Sequence, residues 1–303
     1  MKHLFIVNPT AGGKDRTAEV RAKVEDVFGN LDANYEIYVT KCAMDAPGKI
    51  RQDAAMNDCL RVYACGGDGT FNECVSGAVG LENVAVCPFP TGTGNDFCRM
   101  FGEEKDLYRD LGALMRGSEH YIDLIRCNDR YCTNICSVGI DARIGVDVHK
   151  YSSLPIIGGA AAYVVSTVVN VLKRINTKMH VVADGYDVQA KHALVCACNG
   201  RFYGGGFNPS LNARPDDGVM DVYIIKAVNL FTLARLIGQY AAGKADDLPK
   251  YITHIRPERI DIFFDGEETV QLDGEPLYTN HVCFRMEPHA VKLIVPEGMK
   301  FFA

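Results

Sequence analysis

The sequence predicts an α/β N-terminal domain built on a parallel sheet, joined to a β-rich, antiparallel, sandwich-like C-terminal domain. Two observations predict it. Over the first 124 residues, strand-like and helix-like segments alternate, the rhythm of a parallel sheet with helices on both faces. From about Asp123 onward, short β-rich runs follow one another with little helical periodicity between them. Residues 1–124 are therefore expected to form a Rossmann-like domain and residues 125–291 the β-rich one, with the tail 292–303 packing back on the first.

"HLFIVN" reads as a buried strand, and Val20, Val24, Val27 and Phe28 then share one face of a helix. "YEIYVT" is a second strand. In "DAPGKIRQDAAMNDC", Asp45 is a candidate cap and Pro47 lies in the first turn of a second helix. "RVYAC" and "NVAVCPF" are two more strands, separated by a helix that starts near Phe71. The later strands are "YIDLIRCN", "RYCTNICSVG", "KMHVVADG", "YDVQAKHALVCACNG", "VMDVYIIKA", "RIDIFFDG", "TVQLDGE", "HVCFRME" and "VKLIVP". Asp184-Gly185 and Asp129 stand where hairpin turns belong. Only the apolar segment from Leu154 and "NLFTLARLIGQYAAG" look helical in this part. There is no internal repeat or long linker, and the cleft between two such domains is the default ligand site.

At 303 residues and 48% apolar content, the chain has material for a sizeable core. A net charge of -6 with no clustered Lys or Arg argues against broad nucleic-acid binding. The first run reaches Asn8 and Pro9 within ten residues, so no signal peptide is expected and a cytoplasmic location follows. The twelve cysteines include no CxxC and are expected to be reduced. Cys127, Cys132 and Cys136, and the pair Cys196 and Cys198 on one strand face, are then small hydrophobes. Leu154 to Leu172 is uncharged over about 19 residues, long enough to span a bilayer. Its glycines, Ser166, Thr167 and Asn170 favour a buried helix that starts near Pro155 and ends at Lys173 and Arg174, so no transmembrane span is expected.

The chemistry lies in the turns. Gly66, Gly67 and Gly69 of "ACGGDGTFNE" follow a strand and precede a helix, where backbone N–H groups can meet a phosphate. Asp68 among them would repel phosphates unless a cation stands between or it handles a proton, which points to Mg2+-nucleotide chemistry. "PFPTGTGNDF" leaves a strand near Phe89 and brings Thr91, Gly92, Thr93 and Gly94 to the same C-terminal sheet edge, where α/β proteins bind ligands. Asn95 and Asp96 either cap the next segment or touch ligand. "NPTAGGK" adds Asn8, Gly12, Gly13 and Lys14 to that edge, the lysine being a point charge for phosphate or a solvated side chain. Any one of these alone is also an ordinary tight turn.

Together they are more specific. Gly66-Gly67-Asp68-Gly69-Thr70 with Asn72-Glu73, and Pro90-Thr91-Gly92-Thr93-Gly94-Asn95-Asp96-Phe97, resemble the diacylglycerol kinase catalytic family. The bacterial soluble lipid kinases are the nearest subgroup, with sphingosine and ceramide kinases similar in this part. "NPTAGG", "SVGIDARI", "NGRFYGGGFNPS", "PDDGVMDV" and "LDGE" match in order, so the resemblance spans nearly the whole chain.

The resemblance implies a nucleotide-binding first domain and transfer of the ATP γ-phosphoryl group, with Mg2+, to a lipid hydroxyl. Diacylglycerol or a related lipid alcohol at the membrane surface is the implied substrate. It places Thr40, Gly66, Gly67, Asp68, Gly69, Thr70, Phe71, Asn72 and Thr93 around ATP, and Glu275 of "LDGE" as the base, with Asp68 serving the Mg2+-phosphate network. In the sphingosine-kinase branch the aspartate of the glycine motif takes the base role, and both assignments stay open. A structural Mg2+ is implied at the Asp217 side chain and the backbone carbonyls of Arg214 and Val219. The segment from Leu154 would line an acyl-chain pocket. The enzyme would associate peripherally with membranes, although no clear amphipathic basic anchor stands out in the sequence. The oligomeric state is open, a homodimer included. NAD kinases share the GGDGT turn but not "PTGTGNDF" or the "DGE" arrangement. A nucleotide-binding regulatory protein without turnover is the other alternative. A dinucleotide-binding dehydrogenase is excluded, because the first turn lacks GxGxxG and carries Pro9.

Overall fold

The computed structural model of the protein describes residues 1–29, 31–91, 95–152, 165–167, 169–171 and 173–303. The chain divides into two compact units, Met1–Asp123 with Pro288–Ala303, and Leu124–Glu287.

The first unit contains β1 (Lys2–Val7), α1 (Thr17–Phe28), β2 (Asn34–Val39), α2 (Ala46–Ala54), β3 (Leu60–Gly66), α3 (Asp68–Ala78), β4 (Val84–Pro90), α4 (Asp96–Arg99) and α5 (Leu111–Met115). These strands pair in parallel in the order β2-β1-β3-β4. The end of β13 (Glu275–Val295) adds a further parallel strand, with Lys292 opposite Ala85 and Leu293 opposite Val86. Leu4 to Val7 and Val62 to Cys65 are all buried, the continuous apolar pattern of strands covered on both faces. On α1, Val20, Val24 and Phe28 are buried, and the Phe28 ring meets Phe5 edge-on at 5.3 Å. Buried Arg61 sends its guanidinium to the carbonyls of Leu114, Met115 and Gly117, satisfying the C-terminal end of α5. Asp45 stands at the N-cap position of α2, but its carboxylate caps nothing there. It accepts instead from Tyr38 Oη and Lys41 N, closing the preceding loop.

The second unit continues β5 (Ser118–Cys127), then holds β6 (Arg130–Cys132), β7 (Ile135–Gly139), α6 (Ile140–Ser152), β8 (Thr177–Ala183), β9 (Tyr186–Cys198), β10 (Asp221–Lys226), α7 (Leu230–Ala241), β11 (Ile252–Ile255), β12 (Arg259–Leu272) and the start of β13. The path runs β11-β10-β9-β7-β12-β13, and β8 pairs with both β9 and β12. Neighbours on it are antiparallel. Strand β9 shows why two layers form. Val195 and Ala197 enter one apolar cluster with Val138, Val270 and Phe284, while Leu194, Cys196 and Cys198 enter another with Leu236 and Tyr240 of α7.

Two-residue loops close hairpins at Asn128-Asp129 and Asp184-Gly185, with Asn128 and Gly185 in the left-handed region. The sequence expectations need three corrections here. Helix α6 forms in "IDARIGVDVHKYS", where β-branched residues masked the helical period. "RIDIFFDG" and "TVQLDGE" are one strand, interrupted by a register shift between Phe263 and Glu268. "HVCFRME" and "VKLIVP" are likewise one strand, β13.

All twelve cysteines are free, and nine of them are buried, Cys196 and Cys198 with sulfurs 3.7 Å apart. Among the described residues no helix is long and apolar enough to cross a membrane. Most of the segment from Leu154 to Leu172 lies outside the described residues.

Candidate active site

Strand register alone gathers the glycine-bearing turns. Val7 pairs with both Val39 and Cys65, and Gly66 pairs with Pro90, so four parallel strands end within a residue of one another. The chain beyond each end is tied to its neighbour. Thr40 N donates to Val7 O at 2.9 Å, Asn8 N to Cys65 O at 3.2 Å, and Thr91 N to Gly66 O at 3.1 Å. Asn8, Thr40, Gly66 and Thr91 therefore share one C-terminal sheet edge, the place where open α/β sheets bind ligands.

Side chains lock these turns further. Asn8 Nδ2 donates to Thr70 Oγ1 at 3.2 Å, and Asn8 Oδ1 accepts from Thr10 N and Oγ1. Asp68, first residue of α3, accepts from Asp96 N at 2.9 Å and from Phe97 N at 3.1 Å. The aspartate of the glycine motif thus caps α4, a role for which Asn95 and Asp96 were the candidates in the sequence. Asn95 occupies the N-cap position in left-handed geometry (φ 55°) without a side-chain cap bond. Asp96 is buried and meets Arg99 Nε at 3.0 Å.

The glycines divide by role. A Cβ at Gly66 would overlap the Thr70 side chain, so Gly66 is required by packing inside the turn. A Cβ at Gly67 would meet nothing within 4 Å, and Gly67 caps α3 with no side-chain acceptor. The open side of the turn is therefore at Gly67, before the first amides of α3. Phe71 is buried, its ring 4.7 Å from that of Phe97, and serves the core. Asn72 is half-buried on α3, and Lys14 is exposed. Gly92 and Thr93 lie outside the described residues.

The remaining expected residues belong to the second unit. Leu272 pairs with Glu275, leaving Asp273 (φ 49°) and Gly274 (φ 94°) as a two-residue turn between β12 and β13. Asp273 accepts from Thr133 N and Oγ1, Asn134 N, Ile135 N and Cys132 Sγ, at 2.7 to 3.1 Å. Glu275, beside it, is exposed. At the acidic turn, Arg214 pairs its guanidinium with Asp216, and Asp217 Oδ1 accepts from Val219 N at 3.0 Å across left-handed Gly218. Asp217 Oδ1 is thus held at the Val219 amide, and the expected set of this carboxylate with the Arg214 and Val219 carbonyls is all hard oxygen, the donor type that Mg2+ takes. Among the described residues no cluster of three His, Cys, Asp or Glu side chains could hold a metal, so a cation there would depend on those carbonyls.

One titrating group escaped the sequence reading. Asp141 opens α6, accepts from Tyr203 Oη at 3.0 Å and from Ala142 N, and burial pushes its carboxyl up to about 6. Tyr203 Oη also lies 3.5 Å from Tyr240 Oη, and burial raises both phenols. The available signal was an acid directly after the apolar run "SVGI".

With this geometry in hand, the chain matches two family models. The diacylglycerol kinase catalytic domain matches residues 2–127, and the YegS C-terminal NAD kinase β sandwich-like domain matches residues 134–295. A Bacillus subtilis protein named "Diacylglycerol kinase" is 28% identical over 278 residues, covering 89% of this chain and 88% of that one. A Shewanella frigidimarina protein named "Probable lipid kinase YegS-like" is 26% identical and covers 80% of this chain and 79% of its own length. The crystal structure of a diacylglycerol kinase from Bacillus anthracis superimposes with a TM-score of 0.71 over 99% of this chain and 98% of that one, and at 23% identity it shows the fold. With both domain models in succession over nearly its full length, the chain belongs to the diacylglycerol kinase family of enzymes, in the group that carries the YegS-type C-terminal domain.

Proposed function

We propose that the protein transfers the γ-phosphoryl group of ATP, in the presence of Mg2+, to the hydroxyl of diacylglycerol or a related lipid alcohol. The observation that carries this reading is the edge where Asn8, Thr40, Gly66 and Thr91 end four parallel strands and Asp68 ties α3 to α4. Phosphoryl transfer depends on positioning and charge neutralisation, and cross-linked turns hold their backbone donors fixed. Asn8, Lys14, Thr40, Gly66 to Asn72, Gly92, Thr93, Asn95 and Asp96 are the proposed nucleotide residues.

Glu275 is the proposed base. Both oxygens of Asp68 accept α4 amides, which supports a positioning role for Asp68, whereas Glu275 is exposed on a turn that Asp273 makes rigid. Bound Mg2+ would neutralise phosphate charge at the nucleotide. A second, structural Mg2+ would be held by Asp217 and the carbonyls of Arg214 and Val219. Localisation in the cytoplasm with peripheral membrane contact follows from this reading.

The name of the C-terminal domain keeps an NAD kinase activity in view. Purified protein incubated with radiolabelled ATP and either diacylglycerol micelles or NAD separates the two. Label is expected in phosphatidic acid, and label in NADP alone would refute the lipid reading.

A further inference from the structure

Helix α7 buries one side and leaves several large apolar side chains exposed on another. Leu236 and Tyr240 pack into the cluster with Cys196, Cys198 and Tyr223. On the outer side, Phe231 is 86% exposed, Leu230 46% and Ile237 39%. Leu211, 50% exposed, sits at the C-terminal end of the helix, where it would be struck by a Cβ on Gly243 and where Asn208 N donates to Ala241 O. Leu230, Ala234, Ile237 and Ala241 recur at i, i+4, i+7 and i+11, with Phe231 beside them. Single exposed apolar side chains are ordinary, but a stripe of this kind along one helix marks a contact surface.

Charge identifies the partner. The helix carries no acid, and Arg235 is its one charge. Lys244 follows its C-terminal end. Lys226 and Lys250 meet on its N-terminal approach, where Lys226 Nζ donates to Lys250 O at 3.3 Å. All four cations are exposed. The stretch from Lys226 to Lys250 holds these four cations against two acids, Asp246 and Asp247, in a chain whose net charge is -6, and Asp246 accepts from His254 Nδ1 at 2.8 Å. An apolar stripe framed by cations suits the headgroup and upper acyl region of an anionic bilayer. A second copy of this chain across a two-fold axis would instead set cation against cation.

We propose that the outer face of α7 docks the protein on anionic phospholipid bilayers, Phe231, Leu230 and Ile237 entering the acyl boundary and Arg235 and Lys244 meeting lipid phosphates. This rests on the reading of the substrate as a bilayer lipid. The test is flotation with vesicles of phosphatidylcholine containing about one-third phosphatidylglycerol. It compares wild type, the double variant Phe231→Glu with Ile237→Glu, and the double variant Arg235→Glu with Lys244→Glu. Wild type should float, more weakly at high salt or with phosphatidylcholine alone, and each double variant should bind at least about tenfold less. Turnover of water-dispersed dihexanoylglycerol should be unchanged in the variants, while turnover of long-chain diacylglycerol in vesicles falls. The charge-reversal pair keeps the test informative should the apolar pair misfold. Wild type that stays unbound, variants that float equally, or variants that only turn a dimer into a monomer would each overturn docking. Flotation needs no turnover, so a protein that floats yet phosphorylates no lipid would defeat the kinase reading and leave docking standing.

Discussion

Asp68 shows how one carboxylate can look catalytic in sequence and prove structural in part. Its two oxygens receive the amides of Asp96 and Phe97, charge-assisted bonds worth about 1.5–3 kcal/mol each. Asp68→Ala should speed hydrogen exchange at those amides and lower turnover at least about 100-fold. Lost turnover with unchanged exchange would place Asp68 in the chemistry alone. Two other residues predict a pH response. Burial, helped by Arg61, depresses the His3 imidazole to about 4, so between pH 6.5 and 4 only the unfolded chain takes up its proton. The stability from His3 is complete above pH 6.5 and is lost as the pH falls. Asp141, raised to about 6, behaves oppositely, since between pH 6 and 3.8 the folded state holds the proton and gains stability on acidification. Each effect is of order 1–2 kcal/mol at pH 5. Thermal unfolding at pH 7 and pH 5 should show a steeper acid loss in Asp141→Asn than in wild type, and a smaller one in His3→Gln. Identical slopes in all three would refute the assignment.

At the scale of elements, the hairpin from β12 to β13 separates stability from chemistry in adjacent residues. Asp273 holds five hydrogen bonds from Cys132 to Ile135, where β6 passes into β7, whereas Glu275 is exposed. Asp273→Ala should cost about 3–5 kcal/mol, seen as a lower Tm, because several buried donors lose their acceptor together. Glu275→Gln should change stability by less than about 0.5 kcal/mol while abolishing lipid phosphorylation. Retained turnover in Glu275→Gln would move the base elsewhere. The hairpin turns at Asp129 and Asp184-Gly185 were legible from sequence because such residues tolerate the left-handed backbone that two-residue hairpins need, whereas the turn at Asp273-Gly274 lay hidden inside the strand-like run "TVQLDGE". Helix α6 was not legible either, since Ile140, Ile144, Val146 and Val148 alternate in a way that also suits a strand.

For the whole molecule, nucleotide binding should appear as stabilisation. At a hundredfold excess over Kd, ATP with Mg2+ should add about 2.7 kcal/mol, read as a raised Tm. Glu275→Gln should keep this shift and Asp68→Ala should lose most of it, whereas a protein with no shift under any condition would contradict the assigned nucleotide residues. By itself the sequence determined the alternation of the first domain, the β-rich character of the second and the chemistry of its turns, because periodicity and left-handed turn residues act over a few positions. Only the tertiary structure decided that Asp68 caps α4, that Asp273 pins a loop some 140 residues earlier and that α7 turns a second apolar face outward. Those outcomes depend on which strands become neighbours and on which helix face finds a core. Both are settled by packing between segments far apart in the chain, where local patterning carries no information.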